Sequence, residues 1–460
     1  MGMATTTSKP LLFHSKLLCI SFLYLFTALS LAFYTLLSPT ACLFRPSPYD
    51  PIQTSLFSYN ASYGEHKHAL PTHRRRPSCA SPVLFSDYWD AVTEIKRLCR
   101  DSPPALGSGT LNYAHGEEDS FGGNFSAAKR FSYFDQAGDD RTKEIPCGFF
   151  KPFPVSKSDK TAMERCDGVV VASAVFNNHD KIRQPIGLGT QTLNLVCFFM
   201  FIDNSTLQDL NAYNLLKPRR NSHDETRLGV WRIVVQAGSL YENAAMNGVV
   251  PKYMPHRLFP NAKFSVWVDA KMQLEVDPLL LVHSLVVARE EEGVEIAVSR
   301  HPVFVHTMEE AAATARWRKW GDVGTLMMQM ETYCEHGLQP WTSNKPFPSD
   351  VPDSAVIIRK HTKASNLFSC LMFNELEAFN PRDQLAFAYV RDLMNPKPRI
   401  NMFDAEVLEQ VAVEYRHNLK HGGGASSAQQ VGPTVKMPIG GASFTKCDGY
   451  FLKMWGESND

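Results

Sequence analysis

From residue 168 onwards, short unbroken apolar runs alternate with longer segments whose apolar positions recur every three or four residues. Residues 168–176 (GVVVASAVF), 194–203 (NLVCFFMFID), 229–236 (GVWRIVVQ), 264–269 (FSVWVD) and 295–301 (EIAVSRH) are predicted strands, rich in β-branched and aromatic residues. Helical patterns such as 277–292 fall between several of them. Continuous apolar strands separated by helices indicate an α/β class with a mainly parallel sheet covered on both faces. The later chain reads as helical. Thr307 is the expected N-cap of a helix over 306–334, with Glu310 completing a capping box. Asn380 and Pro381 are the expected cap and first residue of a helix over 380–394, and 405–420 reads as a further helix.

The N-terminal pattern is different. Residues 17–37 carry no charged side chain, and as a helix they span about 31 Å, enough for a bilayer core. Lys9 and Lys16 precede this run, which predicts a cytosolic N-terminus and a lumenal remainder. The expected organisation is a tail over 1–16, a transmembrane signal-anchor over 17–37 and a lumenal stem over 38–145. The stem is expected to be irregular apart from a helix near 87–99. A catalytic domain follows over 146–420, then a flexible Gly- and Ser-rich tail over 421–460, whose last aromatic patch is expected to dock back. Sequons at Asn60, Asn124 and Asn204 agree with a glycoprotein of the secretory pathway.

Composition narrows the choices. Apolar content of 44% supports a substantial core, and 47 basic against 47 acidic residues exclude nucleic-acid binding by bulk electrostatics. The eight cysteines from Cys79 onwards permit disulfides, with Cys197 expected as a buried thiol inside its apolar run. No CxxC, HExxH, GxSxG, Walker A or GxGxxG is present, so the common zinc-hydrolase, serine-hydrolase, NTPase and dinucleotide readings gain no support.

The candidate chemistry gathers at strand ends, where parallel α/β sheets bind ligands. Asp269 leaves a buried strand and Lys271 follows two residues later. In an Asp-x-Asp arrangement the carboxylates hold Mg or Mn, which neutralises a diphosphate leaving group; here the third position is a lysine. Two readings stay open: Lys271 replaces the metal as phosphate partner, or Asp269 and Lys271 form a structural ion pair. Just upstream, Lys252, His256 and Arg257 form either a phosphate cradle or a solvated basic helix face. Asn374, Glu375, Glu377, Arg382, Asp383 and Gln384 surround a later apolar core. There Asp383 serves as a general base, or complements the helix dipole from two residues inside its helix.

The stretches VVVASAVFNNHDKIRQP, VWVDAKMQLEVDP, METYCEHGLQPW and FSCLMFNELEAFNPRDQLAFAYVRD resemble the plant turgor-regulation-defect and mucilage-related family, whose shared domain is glycosyltransferase-like. The resemblance covers about residues 147–420 and implies a GT-A-like fold in a single-pass enzyme of the Golgi or endoplasmic reticulum membrane. One branch is described as an alkaline ceramidase acting in turgor control; other members are regarded as hexosyltransferases of cell-wall synthesis. Ceramide hydrolysis is the first expectation, transfer from a nucleotide sugar the second, and an inactive glycan-binding or scaffold protein the third. Asp269 and Asp383 are the expected catalytic residues, and Lys252, Arg257, Lys271, Asn374 and Gln384 the expected substrate contacts. The cofactor is left open, with Mn or Mg on Asp269 as the candidate. The segment EHGLQPW faintly resembles the metal-binding histidine loop of glycogenin-like transferases, although it precedes the RDQ helix.

Overall fold

The computed structural model describes residues 16–37, 42–44, 51–52, 56–59, 62–64, 81–101, 111–116, 119–136, 144–216, 225–316, 322–415, 417 and 447. The predicted span is observed as one helix, Lys16–Leu37, long and apolar enough to cross a membrane. The tail over 421–460 lies outside the described residues apart from Cys447, as do Asn60 and the tail over 1–15.

A short parallel pair, β1 (Leu43–Phe44) and β2 (Val83–Leu84), precedes the main sheet. That sheet is built from β3 (Val169–Val175), β4 (Val196–Ile202), β5 (Arg227–Leu228), β6 (Trp231–Val235), β7 (Phe264–Val268), β9 (Ile296–Arg300), β10 (Pro352–Lys360) and β11 (Ile400–Phe403). A third, antiparallel pair joins β8 (Met272–Leu274) to β12 (Ala412–Glu414). The order across the main sheet is β11-β9-β10-β7-β3-β4-β6-β5. β3, β4, β6 and β7 run parallel, while β10 runs antiparallel to both β7 and β9. All five predicted strands are present.

The alternation along β3 explains the two layers. Val170 and Ala172 enter one core with Phe199, Phe201 and Trp267, while Val169, Val171 and Val175 enter the other with Phe198, Met200 and Ile202. Helices Ala244–Tyr253, Lys363–Ala378 and Asp383–Leu393 cover the first face; Tyr88–Asp101 and Pro278–Leu285 cover the second. Tyr88–Asp101 is the helix expected near 87–99. Residues upstream of 146 also build the core: Phe121 and Tyr133 are buried in it, and Arg130 forms a buried ion pair with Glu375 at 2.8 Å.

The late helices depart from expectation. The 306–334 pattern is two helices, Thr307–Arg316 and Val323–Glu335, the second capped by Asp322. Thr307 is already helical, and Glu309 rather than Glu310 reaches back, to the His306 amide. Glu310 is instead buried against Arg382 at 2.6 Å. The next helix begins at Asp383, because Asn380 Oδ1 accepts from the Arg382 amide and makes a turn of the residues before it. Among the described residues the 405–420 pattern is helical only over Ala405–Val411; Ala412–Glu414 pairs with β8, and tertiary pairing overrides propensity. Cys197 is bonded to Cys166, not a free thiol, because the start of β4 lies beside Cys166 at the start of β3. Cys147–Cys370 and Cys334–Cys447 are also bridged, the last tying Cys447 to the second of these late helices. Cys19 and Cys99 are free among the described residues.

Candidate functional site

The turn between β7 and β8 is where the site is assembled. The Asp269 amide donates to Ala355 O of β10 at 2.8 Å, and the Met272 amide returns to Asp269 O at 2.8 Å, so the turn is fixed at both ends. Arg183, from the loop after β3, donates to Ala270 O at 3.0 Å and stacks on the Tyr415 ring at 4.0 Å. Tyr415 in turn donates its amide to Lys271 O. Three segments distant in sequence therefore converge on one turn.

Asp269 Oδ1 accepts from the Trp267 indole at 2.6 Å and from Lys252 Nζ at 3.3 Å. Lys252 lies in the last turn of Ala244–Tyr253, where a cation is favoured by the helix dipole, and it also reaches Asp383 Oδ2 at 2.7 Å. Burial pulls the Lys252 pKa down, but Asp269 and Asp383 outweigh it and hold it above the usual value. Burial likewise works to raise the Asp383 carboxyl, yet Lys252, Ser354 and the Tyr253 hydroxyl, at 3.0 Å, keep it below its usual range. Arg359, fully buried, faces the Tyr253 ring at 5.4 Å and adds positive charge behind Asp383. Lys271 pairs with Glu414 of β12 at 2.8 Å, not with Asp269. Of these groups Asp269 and Lys271 remain partly open to solvent, with side chains 28% and 26% exposed, whereas Asp383 is enclosed at 9%.

A cleft of about 410 Å³ opens over the carboxyl ends of β3, β4 and β6. Its wall includes Asn177, Asp203, Asn204, Ser239, Glu242 and Asn247. Asp203 caps the following helix through the Thr206 amide and accepts from the Asn177 amide at 2.7 Å, so it shapes the wall. Asn177 and Asn178 both hold left-handed backbone (φ 55° and 50°), a conformation asparagine tolerates. The sequon residue Asn204 stands on this wall, and Asn124 lies exposed elsewhere.

Several expected contacts lie apart. Arg257 donates to Cys147 O and Gly148 O and stacks between Tyr113 and Phe149, so it supports a loop rather than a phosphate. Asn374 donates to Pro146 O at 2.7 Å inside the same packing. Glu375 pairs with Arg130, and Glu377 accepts from Tyr241 and the Gly122 amide. Gln384 is half-buried beside Asp383. His336 of the EHGLQPW segment bonds Tyr389 at 2.7 Å and stacks on Phe131, an aromatic packing role. Sequence reasoning missed Asp353 and Ser354. Both come from β10, and Asp353 is pushed up by burial while the Lys271 charge lowers it. Their signal was the unread strand 352–360, whose antiparallel register sets Ala355 opposite Asp269.

A divalent ion does not fit at Asp269. Oδ1 already accepts from an indole and an ammonium, the third motif position is Lys271, and Asp383 is turned to Lys252. Among the described residues, Asp269, Asp353 and Asp383 do not bring three ligand atoms within 4.8 Å of one another.

The histidines behind the site give a pH expectation. Burial, then Arg359 and Lys263, lowers His361 to about 3, and its ring stacks at 4.2 Å on His256, which burial also keeps neutral. Below the ordinary value of 6.5 the unfolded chain binds protons that the folded chain excludes. These imidazoles therefore contribute stability that is lost as pH falls from about 6.5 towards 3. Asp277, raised to about 6 by burial, acts in the opposite sense above its unfolded value. The check is differential: the fall in melting temperature between pH 7 and pH 5 is expected to be smaller in His361→Gln than in wild type.

Comparison with known proteins finds a family model and two plant relatives. The TOD1/MUCI70 glycosyltransferase-like domain matches residues 109–417. The chain is 61% identical to the Arabidopsis thaliana protein named "Alkaline ceramidase TOD1" over 419 residues, covering 90% of this chain and 88% of that one. It is 35% identical to the Arabidopsis thaliana "Probable hexosyltransferase MUCI70" over 339 residues, covering 70% of this chain and 56% of that one. Among solved structures, mouse xyloside xylosyltransferase 1 aligns with 51% of this chain and 85% of its own, at 8% identity and a TM-score of 0.29. By its domain match and its two plant relatives, the chain belongs to the TOD1/MUCI70 family.

Proposed function

We propose that this protein is a membrane-anchored transferase that moves a hexosyl group from a nucleoside diphosphate sugar to a hydroxyl acceptor. The observation that carries the reading is the polar cleft over the ends of β3, β4 and β6, in a sheet whose next strand beyond β3, β7, ends in the Asp269–Lys271 turn. β3 connects onward to β4 on one side and is flanked by β7 on the other, the kind of crevice in which open α/β sheets hold nucleotides. The nucleoside occupies the cleft against Asn177 and Asp203. Lys271 leaves Glu414 and meets the diphosphate, supplying the charge that a metal gives elsewhere. Asp269, held by Trp267 and Lys252, orients the hydroxyl whose oxygen bonds to the sugar carbon as the sugar–phosphate bond breaks. Lys252 and Asp383 position Asp269 from behind. The Lys16–Leu37 helix anchors the chain, with the domain in the Golgi or endoplasmic reticulum lumen, where its disulfides persist.

The second reading is ceramide hydrolysis, favoured by the name of the 61%-identical relative. In that chemistry Asp269 orients a water on the amide. One experiment separates the two: full-length chain in detergent is titrated calorimetrically with UDP, GDP and their sugars, and in parallel incubated with ceramide at alkaline pH. Nucleotide binding that is lost in Lys271→Ala, without sphingosine release, supports transfer. Sphingosine release lost in Asp269→Asn, with no nucleotide bound, replaces it with hydrolysis.

A further inference from the structure

A different group of side chains, in the loop after β3 and the segment after β12, is arranged as ligands. His179 and Asp180 follow Asn177 of the cleft wall, and His417 follows β12 by three residues. His417 Nδ1 lies 2.8 Å from Asp180 Oδ1, and the His179 and His417 ring centroids are 4.3 Å apart. One ligand atom from each of the three falls within 4.8 Å of the others, the only such set of His, Cys, Asp and Glu among the described residues. The adjacent cation does not fill the gap, because Lys181 turns to Asp209 at 3.5 Å and to the rings of Tyr63 and Tyr213.

We propose that His179, Asp180 and His417 bind a zinc-type divalent transition metal, leaving a fourth position open to water or an anionic oxygen. Two imidazoles and one carboxylate form the three-ligand set that zinc takes in open tetrahedral sites, and imidazole nitrogen disfavours Mg and Ca. The metal joins the loop after β3 to the segment after β12, the two segments that Arg183 and Tyr415 already bring together over the Asp269–Lys271 turn. It thereby staples the loop that begins at the cleft wall residue Asn177 to the segment after β12. This assignment stands apart from the reaction proposed above, since it rests on neither a nucleotide nor ceramide.

The test uses untagged full-length chain in detergent, stripped by chelator and titrated with zinc, with metal content read by mass spectrometry. The expected result is one zinc per chain and at least about a hundred-fold weaker binding in His179→Ala and in His417→Ala. His115→Ala, at an exposed histidine outside the group, is expected to bind as wild type. Because His179 and His417 are exposed, both variants are expected to keep the metal-free melting temperature, so lost binding is not lost folding. Cobalt substitution gives a second readout, a visible band that disappears in the same two variants. Zinc binding unchanged in both variants, or no stoichiometric binding by wild type, overturns the proposal.

Discussion

Lys252→Met is expected to destabilise the chain by about 3–5 kcal/mol, the range for removing one partner from a buried ion pair. The ammonium is the link between Asp269 and Asp383, and the enclosed Asp383 carboxylate would keep hydrogen bonds from Tyr253 and Ser354 but no paired cation, with Arg359 only behind it. Methionine is unbranched and only one atom shorter, so the loss reports charge more than volume. Denaturant midpoints of wild type and variant measure it. Adding Asp383→Asn to Lys252→Met is expected to recover part of the loss, since a neutral amide no longer needs the cation. A double variant as unstable as the sum of the singles would mean that the two side chains act independently.

Asp269→Asn is expected to lower turnover by about a hundred-fold or more while the chain stays folded. The amide is isosteric and can still accept from Trp267, so the β7–β8 turn persists. What it loses is the negative charge at the one carboxylate of the Lys252 triad that faces solvent. The same substitution serves whichever substrate turns over, and the kinetic split is informative. Asp269→Asn is expected to act on kcat, whereas Lys271→Ala acts on the affinity for a diphosphate. A turnover equal to wild type in Asp269→Asn would move the reacting centre away from this turn.

The legible parts of this molecule are those in which local pattern and burial agree. β3, β4 and β7 read as unbroken apolar runs because they are buried on both faces, and Asp269 stood out as the charge that ends one of them. Lys252 and Asp383 were readable as candidates, but their partnership was not, since 131 residues separate them (383 − 252) and only the packed helices bring them to 2.7 Å. Arg257 and Asn374 misled because a cation or amide near a site looks the same in sequence whether it meets a ligand or a loop carbonyl. Their partners, at residues 146–148, belong to a segment without periodicity. Asp353 and Ser354 were invisible for a further reason. β10 mixes polar residues with a short apolar centre, and its value to the site comes entirely from lying antiparallel against β7.

That placement of β10 also governs how the protein can be made. β10 sits between β7 and β9, so the sheet has no continuous centre until residues 352–360 have been synthesised. Until then β7 presents an unpaired, mostly apolar edge, the kind of template on which chains pair with one another. Folding that waits on so distant a strand is slow and prone to association. A nascent chain ending before residue 352 would carry every residue that lines the cleft but an open sheet edge, which makes completion of translation, rather than formation of the cleft, the step at which this domain becomes safe from aggregation.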